Sequence, residues 1–196
     1  MANTGSNGMS RRRLLTTAAG VTAVAFGSLA SPTPAFAAPL QQQVGWRFCN
    51  RCFGLVLPWG ANNACPAGGV HTPQGWVFKL PFNSGPGGSG EDAHNQGNWW
   101  QCKLCSVLFW SSPTSYVAGR CPTGDRHDAI DNNLNIGLHY LLPHDIGNPP
   151  GTQRWRFCFR CHSLFFEGYN PNLGRCPAGG GHAAAGFLFA IPVHSY

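Results

Sequence analysis

Charge is the first thing this sequence lacks. Only 10% of its 196 residues are charged, against roughly 25% in ordinary soluble domains. Helix formers are also short of room, because 26 Gly and 16 Pro are spread through the chain and both residues break helices. No stretch after residue 37 carries a helical period over three turns, which argues against a helical bundle. No long uninterrupted apolar run is present. The best, Leu14 to Ala30, is broken by Thr and Ser and ends at prolines, a poor transmembrane helix. Neither a G-x-S-x-G nucleophile motif nor a phosphate-cradling glycine loop occurs. The chain does hold 43% hydrophobic residues, with 7 Trp, 13 Phe and nine Cys. That is enough to fill a core, and the sequence predicts a loop-rich, all-β protein stapled by cysteine chemistry.

The N-terminus has the layout of a secretory signal peptide. Arg11-Arg12-Arg13 precede the weak apolar run, and Ala35-Phe36-Ala37 supplies a small-residue cleavage site. Ser10-Arg11-Arg12-Arg13-Leu14-Leu15 resembles the twin-arginine export motif, which implies transport of an already folded protein across a bacterial cytoplasmic membrane. Residues 1–37 are therefore expected to be a twin-arginine signal peptide, and the mature protein to be secreted, with no membrane association after cleavage. The remaining 159 residues carry 10 Lys+Arg against 7 Asp+Glu, a net charge of +3.

One unit recurs three times in 38–196. Trp46-Arg47-Phe48-Cys49-Asn50-Arg51-Cys52 returns as Trp99 to Cys105 and again as Trp155 to Cys161. Leu55, Leu108 or Leu164 follows three positions after each pair. A third cysteine then stands before proline (Cys65-Pro66, Cys121-Pro122, Cys176-Pro177), and a histidine lies six positions beyond it: His71, His127, His182. Each unit ends on an apolar stretch closed by proline, at Phe78 to Pro81, Tyr140 to Pro143 and Phe189 to Pro192. Repetition at this period is a fold-level signal, since one unit alone is too small to bury a core. The predicted domain has repeats at about 44–84, 98–145 and 153–196. Each has a hairpin around the cysteine turn and a closing strand, such as Trp76 to Leu80. Gly85 to Asn98 reads as a linker.

Secretion favours disulfides, but nine cysteines cannot all pair, and three per unit leave one thiol over in each. A metal site has no parity problem. Three thiolates and one imidazole per unit suit a closed tetrahedral zinc site. The expected ligand sets are Cys49, Cys52, Cys65, His71; Cys102, Cys105, Cys121, His127; and Cys158, Cys161, Cys176, His182, holding three structural zinc ions. Disulfides or another metal such as iron are the alternatives. Each zinc site would carry a net −1, which brings the mature charge to about zero. Eight of the ten remaining cations lie within four residues of a ligand cysteine, where positive charge favours thiolate. The positive charge is thus spread over three sites, and no nucleic-acid partner is expected.

The Cys-x-x-Cys hairpins resemble the knuckles of zinc-ribbon proteins, which implies metal binding. Three similar β units also resemble a pseudo-threefold β-trefoil, whose units supply four short strands each. Three tandem zinc-ribbon-like modules are the rival architecture. The expected function is a secreted, zinc-stabilised binding module for an extracellular or cell-wall glycan, with a polysaccharide or cell-surface component as partner. Trp59, Trp76, Trp100 and Trp110, which lack a counterpart in every unit, are its candidate stacking surfaces, and replacing Trp59 or Trp110 is expected to weaken binding. A secreted hydrolase relying on His144, Asp145 or His194 is the alternative. Trp46, Trp99 and Trp155 are expected in the core.

Overall fold

The computed structural model of the chain describes residues 40–59, 62–84, 91–112, 114, 117–130, 138–147 and 151–195. The expected signal peptide at 1–37 and the first part of the expected linker, residues 85–90, lie outside the described residues.

Every named element is a strand: β1 (Gln41–Cys49), β2 (Leu55–Val56), β3 (Pro73–Ser84), β4 (Asn95–Gln101), β5 (Leu108–Trp110), β6 (Leu138–Pro143), β7 (Thr152–Cys158), β8 (Leu164–Phe166) and β9 (Ala184–Ile191). Among the described residues each unit therefore has three strands, where a trefoil unit has four. Its first strand pairs antiparallel with both the others. The register repeats: Phe48↔Leu55, Gln101↔Leu108 and Phe157↔Leu164 in the hairpins, and Trp46↔Phe78, Trp99↔Tyr140 and Trp155↔Phe189 against the closing strands.

A bulge sits just before each tryptophan. The register shifts between Val44 and Trp46, Gln96 and Trp99, and Thr152 and Trp155. Gly45, Asn98 and Arg154 take positive φ there, at 109°, 60° and 73°. A bulge increases local twist and re-aims the next side chain, and here all three indoles are buried, each no more than 1% exposed.

The units close on one another. β3 pairs with β6 at Phe82↔Tyr140, joining the first two units in a six-stranded sheet of order β2-β1-β3-β6-β4-β5. The third unit forms a sheet β8-β7-β9, bridged to the others at Phe78↔Val193 and His144↔Phe189. The short strands meet at Val56↔Val107, Gly54↔Phe165 and Phe109↔Ser163. The result is a barrel-like sheet with one core, and the rival arrangement of three separately packed modules does not hold. That core takes the repeated tryptophan, leucine and closing aromatic from every unit. The indoles interlock in a cycle of edge-to-face contacts. Trp46 meets Tyr140 of the second unit at 5.1 Å, Trp99 meets Phe189 of the third at 5.2 Å, and Trp155 meets Phe78 of the first at 5.5 Å. Such geometry suits the aromatic quadrupole and adds about 0.5–1.5 kcal/mol per pair beyond burial.

The structure begins β4 at Asn95, inside the stretch read as linker. Two acidic side chains anchor that start. Asp92 Oδ1 accepts the His94 N–H at 2.7 Å, and Glu91 Oε1 accepts the Gly97 N–H at 2.8 Å and Asn98 Nδ2 at 3.0 Å. Glycine count alone hid these carboxylates' capping role.

Candidate metal centres

Each centre is built from a strand end, a tight turn and a loop. The first strand of a unit delivers the first cysteine, and the chain then folds back. Phe53 N–H donates to Cys49 O at 2.8 Å, Ser106 N–H to Cys102 O at 2.8 Å, and His162 N–H to Cys158 O at 2.7 Å. The donor residue has φ of 68°, 62° or 61°. This knuckle places both thiols of Cys-x-x-Cys on one side. The third cysteine opens a second turn, in which Cys65 N–H donates to Gly69 O and Cys176 N–H to Gly180 O, both at 2.9 Å. Arg51 clamps that turn through Gly68 O and Ala67 O, each at 2.6 Å, and Arg160 does the same in the third unit through Ala178 O at 2.8 Å.

The structure brings each predicted set together. Within each of the three groups, one ligand atom per residue lies within 4.8 Å of all the others, and all twelve residues are buried. None of the nine cysteines is in a disulfide. Cys49 Sγ and Cys65 Sγ are 4.0 Å apart, as are Cys158 Sγ and Cys176 Sγ. That is about twice a disulfide bond of ~2.05 Å. It is close to the ~3.8 Å edge of a tetrahedron with ~2.3 Å metal–sulfur bonds. The histidine presents Nδ1 to the second cysteine, at 3.3 Å for His71 and Cys52 and at 3.5 Å for His127 with Cys105 and His182 with Cys161.

The thiols and imidazole of each site shift one another strongly. Hydrogen bonds with Cys52 and Cys65 drive the Cys49 thiol far below its ordinary range, and those with Cys49 and Cys65 push Cys52 well above its own. Burial pulls His71 down, but its contacts with Cys49 and Cys65 outweigh that and lift it to about 9. His127 and His182 are lifted to about 9 by the matching pairs of cysteines. Backbone groups add to the stabilisation of thiolate: Thr72, Asp128 and Ala183 N–H point at the first sulfur of their sites at 3.4–3.5 Å.

The far nitrogen of two of the imidazoles reaches another unit. His71 Nε2 lies 3.1 Å from Cys105 O, and His182 Nε2 lies 3.0 Å from Cys52 O. Both acceptors are carbonyls of cysteines in the neighbouring site. With Nδ1 on a metal, Nε2 carries the proton and donates to that carbonyl. His127 Nε2 is buried without a partner; its repeat-equivalent acceptor is Cys161 O. Gly119 and Gly174, at φ 61° and 67°, let the chain pass against Cys161 O and Cys52 O, where a Cβ would overlap the carbonyl. All three histidines and all three Cys-Pro prolines line one central void of about 10 Å³, room for a single water at most.

Three buried Cys₃His groups of this geometry fit three structural metal ions, and they make the chain a metal-stabilised β module. No protein-family model, curated protein or solved structure matches it.

The arginines near the cysteines bind carbonyls and carboxylates, a contact that spacing alone did not reveal. Besides the two clamps, Arg47 Nη2 donates to Gly75 O at 3.2 Å, Arg156 Nη2 to Gly186 O at 3.3 Å, and Lys103 pairs with Asp128 at 2.7 Å.

The hydrolase residues have structural partners. His144 is buried, stacked on Phe187 at 3.7 Å, and its Nδ1 is 3.2 Å from Asp145 Oδ2. Asp145 clasps β9, since its N–H donates to Leu188 O at 2.9 Å and its Oδ1 accepts the Leu188 N–H at 3.1 Å. His194 N–H donates to Val77 O at 2.8 Å. Of the candidate stacking residues, Trp59 is 71% exposed, whereas Trp110 is partly buried against the core and packs on Phe157. Trp76 is 60% exposed beside a cavity, and Trp100 is partly buried against His139.

Proposed function

We propose that this chain is an exported binding module, held together by three zinc ions, that recognises an extracellular or cell-wall glycan. Thiolate-rich tetrahedral sites suit zinc, and a four-ligand shell leaves no position for water or substrate, so these ions stabilise and do not catalyse. The twin-arginine-like start supports export of a chain that has taken up its metal in the cytoplasm.

One observation carries the binding reading. A cavity of about 210 Å³ opens at the seam between the first and third units, with exposed Trp76 and Tyr169 at its mouth. Its lining offers aromatic faces plus the neutral polar groups of Gln74 and Thr152. Sugar rings stack on aromatic faces, and their hydroxyls pair with amides and hydroxyls. The cavity is smaller than the roughly 300–1,000 Å³ of drug-sized sites, a size for one ring of a polymer.

Retention on insoluble cellulose, chitin and peptidoglycan tests this. The protein beginning at Ala38 is expected to bind one of them, and Trp76→Ala to weaken that binding about tenfold or more, the scale of one aromatic anchor. Unchanged retention of Trp76→Ala would move the site elsewhere. Release of soluble sugar, lost in His144→Ala, would replace binding by hydrolysis.

A further inference from the structure

The cavity at Trp76 has a counterpart one repeat away. A second cavity, of about 150 Å³, opens at the seam between the third and second units. The two are built from the same repeat positions. Phe48, Gly75 and Trp76 line the first, while Phe157, Gly186 and Phe187 line the second. Phe48 and Phe157 each stand two residues after the buried tryptophan of their unit, and Trp76 and Phe187 each stand two residues before its closing aromatic.

The neighbouring unit completes each cavity from matching places. Thr152 and Phe166 do so in the first, Gln96 and Trp110 in the second. Thr152 Oγ1 and Gln96 Oε1 each accept an indole N–H, from Trp155 at 2.8 Å and Trp99 at 3.1 Å. Both turns carrying the mouth aromatic are propped alike. Gly75 and Gly186 have φ of 71° and 65°, and the arginine after the buried tryptophan binds each glycine's carbonyl. At the third seam the repeat positions of Phe48 and Trp76 are Gln101 and Leu138, so the aromatic pair is missing there.

Resting on the glycan reading, we propose that the chain is bivalent: two repeat-related aromatic subsites, each taking one ring of a neutral polysaccharide, bind the polymer together. Neither lining contains a carboxylate, lysine, arginine or histidine, which matches an uncharged ligand. Two similar subsites fixed in one rigid core match a ligand that repeats. Linking two weak sites raises apparent affinity for a polymer by about 10²–10⁴-fold over one site.

Calorimetry with soluble cellotetraose and with the tetramer of N-acetylglucosamine tests this, alongside retention on the corresponding insoluble polymer. Two tetramers are expected per chain. Trp76→Ala and Phe187→Ala are each expected to leave one, and to cut retention on the polymer by about 100-fold; the double variant loses both. Trp76 and Phe187 are 60% and 39% exposed, and unchanged metal content serves as the folding control. One tetramer per chain, with Phe187→Ala silent, overturns bivalency and leaves the glycan reading standing. Wild-type protein that binds no tetramer or polysaccharide, or only a proline-rich peptide, overturns both.

Discussion

Stripping the metal with a strong chelator is expected to unfold the chain in one step and to release all three ions together. A structural zinc site contributes roughly 10–16 kcal/mol of apparent binding free energy that is also folding free energy. A whole domain is stable by only about 5–15 kcal/mol, so one lost ion is enough to unfold it. The loss should also spread. His71 Nε2 holds the Cys105 carbonyl and His182 Nε2 holds the Cys52 carbonyl, so an emptied site frees the knuckle of the next. Loading is expected to complete the ring by turning His127 Nε2 onto Cys161 O. Acid acts in the same direction, because protons compete with metal for thiolate and imidazole as pH falls. Native mass spectra during a chelator titration should show the fully loaded and metal-free chains with little between them. A stepwise series of folded, partly loaded species would contradict the interlock.

Trp99→Ala is expected to destabilise the whole molecule by about 3–5 kcal/mol, the usual cost of emptying a large aromatic from a core. Trp99 belongs to the second unit, yet its ring meets Phe189 of the third at 5.2 Å and shares one cluster with Trp46 and Trp155. Denaturant unfolding should stay a single transition at a lower midpoint, with all three metals lost in it. A second transition that keeps wild-type stability for the first unit would show separable modules.

Much of this was legible in the sequence because the chemistry repeats in register. Cys-x-x-Cys, Cys-Pro and a histidine six residues on recur at fixed offsets, and spacing of that kind survives folding. The core tryptophans were legible for the same reason. Other features depend on contacts between units, which local spacing does not encode. Arg51 and Arg160 looked like thiolate partners but clamp loop carbonyls. Glu91 and Asp92 anchor β4 through local hydrogen bonds that the surrounding glycines obscured. Trp76 and Phe187 match as mouth residues only once the closing aromatics Phe78 and Phe189 are aligned. Nothing in the sequence shows that the histidines reach across unit seams, since each acceptor is a backbone carbonyl, and every residue has one.

The most direct test of the central claim is the mass of the native chain beginning at Ala38, measured before and after thiol alkylation in denaturant. Three zinc ions per folded chain, with all nine cysteines alkylated once the metal is removed without reductant, is the expected result. A folded chain without metal, in which eight cysteines resist alkylation as four disulfides, would contradict it.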